Sequence, residues 1–350
     1  MGIARILLMA CTCATTALCP VGGTAAETAG YSITGRIAGT GGSWDYAVID
    51  PDGARLYLAQ AGVTAVDLKT NAITTGLVAA AVTHGLALLG KGIVAVDDSQ
   101  NKTVTLFDGI TGRIESIIPT SKFNPVSGHH ALDALVLEPK TGDLVAVNGE
   151  SGLLLLIDVK DSRVVGTISV GGHPEFAAAD AQGRIYINVN RGETSELDAV
   201  DIASRTVTRR IPLAGCEGAT GLAYDRADQL VLSVCDNGFL KIIDATTDRL
   251  LASIPVGRGA DAVLFDSKRR RAFVAGGDAG TLSVIAVRGA GDAALVQTLP
   301  TQIGTRLGAV DVGSGRVYLP SAKFGPPKAP IHYPSVLPGS FEILVVSPTE

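Results

Sequence analysis

The chain has 350 residues, 46% of them hydrophobic and only 18% charged, with 42 glycines and a formal net charge of −5. That length can bury one large core or two ordinary ones, and many glycines with few charges fit short strands joined by tight turns. The acidic balance, with no basic cluster larger than Lys268-Arg269-Arg270-Arg271, disfavours nucleic-acid recognition through phosphates.

Residues 1–26 read as a cleaved export signal. Met1–Arg5 gives a short basic start, an apolar run extends from Ile6 to about Leu18, and Thr24-Ala25-Ala26 before Glu27 suits cleavage. The run is shorter than the roughly 20 residues that a membrane span needs. The expectation is therefore a periplasmic or secreted protein, with no transmembrane segment in the mature chain 27–350. Leu8-Met9-Ala10-Cys11 resembles a bacterial lipobox, but the apolar run before Cys11 is short for one. Cleavage would remove Cys11, Cys13 and Cys19 and leave Cys216 and Cys235, a pair expected to form a disulfide in an oxidising compartment.

From about Trp44 onward the chain repeats. Each unit reads as a Gly-rich or small lead-in, an apolar strand, a turn, a second strand, a polar turn, a third strand ending near an Asp, and a fourth strand. The third-strand ends are AVDLKT, LFDGIT, LIDVKD, AVDIAS and IIDATT. Their acids, Asp67, Asp108, Asp158, Asp201 and Asp244, lie 41, 50, 43 and 43 residues apart. VIAVRG (284–289) and ILVVSP (343–348) are degenerate sixth and seventh copies. Hairpins such as DPDGARLYLA, EPKTGDLVAV, DAQGRIYINV and VGSGRVYLP carry turn residues followed by β-branched or aromatic alternation. A period of 40–45 residues with four strands per unit predicts an all-β, seven-bladed β-propeller. The last unit stops after its third strand at FEILVVSPTE, while Tyr31–Ile37 has the pattern of a fourth strand. The N-terminal strand is thus expected to complete the last blade and close the ring.

VGGHPEFAAADAQGRIYINV, DYAVIDPDGARLYLA and KIIDATTDRLLASIPVG resemble the repeats of bacterial YVTN-type seven-bladed propellers. The likeness extends over nearly the whole mature chain, departing in unit two (THGLALLGKGIVAV) and at an insertion, 321–340, in the last blade. It implies an exported propeller whose relatives include subunits of quinoprotein amine dehydrogenases, lactonases and lyases. The Asp closing each third strand is read as a turn cap, not a calcium ligand.

In this topology the loops leading into the innermost strands share one face with the loops between second and third strands, around the channel mouth. That places Trp44, Asp45, His84, His129, His130, His173, Glu175, Glu217, Arg258 and Arg306 together, with His332 on the insertion. Four of the five His residues fall in the lead-in loops themselves. Imidazoles with carboxylates could suit zinc or copper, the arginines a substrate carboxylate, and His173 or His130 proton transfer. The plainer reading is that loops tolerate polar residues where they meet solvent. No HxH, HExxH, nucleophile-elbow, phosphate-loop or haem motif is present, so no cofactor or metal is assigned. The leading expectation is a monomer that binds a small ligand or protein partner at the mouth. The alternatives are a lyase or hydrolase using mouth His and Arg residues, or an accessory subunit of a quinoprotein-type redox system.

Overall fold

The computed structural model describes residues 30–124, 131–327 and 334–349. Residues 1–26, read above as an export signal, and His129, His130 and His332 lie outside the described residues. Seven four-stranded antiparallel blades form a β-propeller; six of them use their strands in chain order from the inside out, and the seventh takes its outermost strand from the N-terminal end of the chain. Among the described residues there is no helix long and apolar enough to cross a membrane.

The middle strands explain the composition. In blade one the second strand, Arg55–Ala59, turns Leu56 and Leu58 toward blade seven, and Tyr57 and Ala59 toward blade two. Both faces are therefore apolar, because each sheet is sandwiched between two neighbours. The same division recurs at every seam, giving seven hydrophobic clusters between seven blades. Outer strands such as Arg163–Ser169 are largely exposed or half-buried. Near the axis the inner strands converge until side chains no longer fit. A Cβ on Gly85 would lie 2.7 Å from the Leu135 amide nitrogen, and one on Gly221 would lie 2.4 Å from Ala262 Cα.

The turns are held by local chemistry. Asp67 accepts the Lys69 and Thr70 amides, and Asp108, Asp201 and Asp244 repeat the arrangement at the ends of their third strands. These backbone and hydroxyl donors hold the carboxyl groups below the ordinary range, at about 2 for Asp244. They are structural caps. Blade two shortens its first hairpin to Lys91-Gly92, both with positive φ as a two-residue primed turn demands.

Blade seven closes the ring. Its sheet order is Ala309–Asp311, Arg316–Ser321, Glu342–Pro348 and then Tyr31–Ala38 from the other end of the chain. Tyr31 pairs with Pro348, and Ile37 with Ile343. Tyr31 also packs edge-on against Phe273 of blade six, ring centroids 4.9 Å apart. The insertion folds into a small hairpin, Phe324–Pro327 with Pro334–Val336. Cys216 and Cys235 form a disulfide between the lead-in loop of blade five and the end of its second strand.

Candidate functional site

The mouth is organised by register. In six blades the hairpin after the inner strand begins at an acid: Asp50, Glu138, Asp180, Asp225, Asp266 and Asp311. Five residues before each stands one side chain at the head of the inner strand: Asp45, Asp133, Glu175, Thr220, Asp261 and Arg306. Blade two, with its shortened hairpin, contributes His84 just ahead of Leu86. Equivalent positions in a propeller point the same way, so seven blades present a ring of four carboxylates, one imidazole, one hydroxyl and one guanidinium.

The ring has a floor. Tyr46 of blade one packs against Phe176 of blade four, centroids 4.7 Å apart, and joins the cluster formed by blades three and four. Blades one and four are not neighbours, so this pair bridges the axis and blocks the channel beneath the mouth. Burial raises the Tyr46 phenol well above its usual range, and the charges of Asp261, Asp133, Asp45 and Glu175 add to the effect. Its neutral hydroxyl therefore lies among carboxylates from four blades.

Contacts around the ring fix each side chain. His84 is buried, its Nδ1 2.7 Å from Asp45 Oδ2. The His84 and Gly85 amides both donate to Asp97 Oδ1, at 2.9 and 2.7 Å. Glu175 Oε1 lies 3.3 Å from His173 Nε2 and accepts a long bond from Asn190 Nδ2 at 3.4 Å. Arg306 Nε stands 3.2 Å from Asp261 Oδ2, and the Asp261 amide donates to the Arg306 carbonyl. Thr220 donates its hydroxyl to the Ala260 carbonyl at 2.8 Å.

Crowding carboxylates in a half-buried cup raises their pKa values. Burial, then the charges of Asp133, Asp261 and Asp45, pushes Glu175 up to about 8. Burial pushes Asp97 to about 8 against the opposing effects of His84 and two amide donors. Asp261 reaches about 6, with burial outweighing the Arg306 charge. For His84, burial works downward, but the Asp45 hydrogen bond and the Asp45, Asp97 and Asp133 charges carry it up to about 9. His84 is thus protonated at neutral pH and is no general base there.

These shifts give stability a sign. Glu175, Asp97 and Asp261 keep protons in the folded state that the unfolded chain releases above about pH 4. Folding therefore becomes less favourable as pH climbs from about 4 to about 8. The contribution of His84 is complete below its unfolded value near 6.5 and is lost as pH passes about 9. Both effects run the same way. The urea midpoint is expected to be higher at pH 5 than at pH 8.5, and Glu175→Gln should narrow the gap. An equal or higher midpoint at pH 8.5 would contradict this account of the cup.

The other predicted residues sit elsewhere on the same face. Trp44 is half-buried between Phe324 and Phe341, centroids 5.9 and 5.1 Å away, and ties the insertion hairpin to the ring seam. Glu217 and Arg258 are exposed on outer loops of blades five and six. Burial and the Asp278 charge raise the Asp236 carboxyl, and the Arg258 and Arg306 charges oppose the shift without cancelling it. Among the described residues no three His, Cys, Asp or Glu side chains are grouped as metal ligands. Tyr46, Phe176, Asp97, Asp133, Thr220 and Asp261 were not among the candidate site residues of the sequence, although the five-residue offset from the hairpin acid selects three of them, Asp133, Thr220 and Asp261.

No family model matches the chain, and no curated protein matches it. Solved structures share its fold. A chain of hydrazine synthase from Kuenenia stuttgartiensis aligns with TM-score 0.66 and 14% identity, over 83% of this chain and 96% of that one. A chain of a mitotic checkpoint complex aligns with TM-score 0.72 and 10% identity, over 99% of each. At such identities the likeness is one of fold, and it establishes the chain as a β-propeller.

Proposed function

We propose that the protein binds, through its channel mouth, a small ligand or partner segment that carries a cationic group. One observation carries this reading: carboxylates from blades one, three, four and six converge on a closed cup floored by a neutral tyrosine. Glu175 and Asp261 remain partly exposed there, at 19% and 23% of their side chains. An ammonium or guanidinium entering the cup would replace protons that the crowded carboxyl groups hold, so binding would be coupled to proton release. Rigid inner strands hold the ring in place, which lowers the ordering cost of binding. The repeat residues support a YVTN-type propeller, and the signal-like residues 1–26 support export to the periplasm as a single mature propeller.

Calorimetric titration with putrescine, agmatine and a Gly-Lys-Gly peptide at pH 6 and pH 8.5 tests the proposal. At least one amine is expected to bind, more tightly at pH 8.5, where Glu175 and Asp261 are more fully ionised. Glu175→Gln should weaken that binding by roughly tenfold, the worth of one charge-assisted hydrogen bond. Failure of every amine to bind, or unchanged binding in a Glu175→Gln, Asp261→Asn double variant, would refute it.

A further inference from the structure

The opposite face carries a second arrangement that the mouth does not use. Four blades begin their second strand with Arg, any residue, then an aromatic: Arg55 and Tyr57, Arg184 and Tyr186, Arg271 and Phe273, Arg316 and Tyr318. In blade one this pair is a strap to the next blade. Tyr57 donates to the Gly109 carbonyl at 2.9 Å, and Arg55 Nη1 reaches the Gly109 and Ile110 carbonyls at 3.4 Å. Strap and seam are complete.

Blade four departs from that pattern. Tyr186 still donates to the next blade, at the Ala245 carbonyl, 3.3 Å away. Arg184, however, makes only a 3.5 Å contact with the Tyr186 hydroxyl, and its buried Nε has no hydrogen-bond partner. Among the described residues no carboxylate forms an ion pair with Arg184, and the nearby Asp180 spends Oδ1 on the Gln182 and Arg184 amides of its own turn. A second cation enters from the fourth strand. Arg209 donates to the Tyr186 hydroxyl and the Ala245 carbonyl, both at 3.0 Å, and pairs with Asp248. Tyr224 of blade five stacks on Tyr186, centroids 5.5 Å apart and planes within 10°. Arg184, Tyr186, Arg209 and Tyr224, with Asp180 and Ala245, line a pocket of about 250 Å³ between blades four and five.

The repeat accounts for the strap but not for the pocket, the second arginine or the unpartnered Nε. We propose that this pocket binds a small oxyanion, a carboxylate or a phosphate. Arg184 would offer Nε–H and an Nη–H as a fork, the geometry that matches two oxygens of one anion. Arg209, already paired with Asp248, would supply the field and hold Tyr186 in place. The pocket falls below the roughly 300 Å³ at which drug-sized sites begin, so the anion is small.

The test is calorimetric titration of the full-length protein with sodium phosphate and, separately, sodium malonate, in a chloride background of constant ionic strength. At least one should bind saturably. Phosphate alone, malonate alone or both would each support the site and identify the oxyanion it prefers. Arg184→Gln should bind at least about tenfold more weakly. Arg184→Lys, which keeps the charge but loses the fork, should also bind more weakly while its thermal midpoint without ligand stays close to that of the parent. If Arg184→Gln does not fold, Arg184→Lys decides. No saturable binding of either anion below about 10 mM, or parental affinity in the folded variants, would overturn the proposal.

Discussion

A chain lacking Tyr31–Ala38 is expected to lose at least about 5 kcal/mol of stability and to self-associate. The strand buries Tyr31 and Ile37, each worth about 1.5–3 kcal/mol, and forms a ladder with Glu342–Pro348 whose bonds each add about 1 kcal/mol net. Typical domains hold only about 5–15 kcal/mol in all, so the loss is a large share of the total. Deletion also bares the Glu342–Pro348 edge, whose unpaired backbone groups can recruit another chain. Urea denaturation with light scattering over a range of protein concentrations checks both effects. A parental midpoint with no concentration dependence would mean that the ring does not depend on this strand.

Tyr46→Ala is expected to cost about 3–5 kcal/mol, the usual range for emptying a large buried aromatic site. The ring of Tyr46 is almost wholly buried against Phe176 and the cluster of blades three and four. Tyr46→Phe separates packing from polarity, because it keeps the plug and removes the hydroxyl among the carboxylates. Its expected cost is at most about 1–2 kcal/mol, while the midpoint difference between pH 5 and pH 8.5 should change as the carboxyl groups lose a neutral neighbour. Urea unfolding of both variants at the two pH values makes the comparison. Equal loss in Tyr46→Phe and Tyr46→Ala would assign the stabilisation to the hydroxyl instead of the plug.

The architecture was readable because its information is repeated. Any one hairpin, such as DAQGRIYINV, is an ordinary turn between two strands, but seven in phase specify blades. The pairing of Tyr31–Ala38 with the last third strand was legible for the same reason: an unfinished unit at one end of the chain matches a spare strand at the other. The cup was legible only in part. Asp45, His84, Glu175 and Arg306 stood out as polar residues in lead-in loops, whereas Asp133 and Asp261 carry no signal beyond their five-residue offset from the hairpin acid. Tyr46 was harder still, since a tyrosine opening a strand reads as core. Its contact with Phe176 depends on the diameter of the ring, which no local pattern encodes. Trp44 shows the opposite limit. A lone tryptophan beside a predicted mouth suggests a ligand platform, yet Phe324 of the insertion and Phe341 sit against it.

The Tyr46–Phe176 pair also bears on how the ring comes apart. Repeat arrays are commonly described by intrinsic terms for each unit and coupling between adjacent units, like beads on a loop. A diagonal contact between the first and fourth beads adds a coupling that the loop does not contain. Opening the seam beside blade one, or loosening blades three and four, then disturbs the same aromatic pair. Fluctuations in the two halves of the disc become correlated, and partly unravelled states that preserve one half are penalised. Hydrogen-exchange protection in the inner strands Ala47–Asp50 and His173–Ala179 should accordingly rise and fall together, although two blades separate them along the ring.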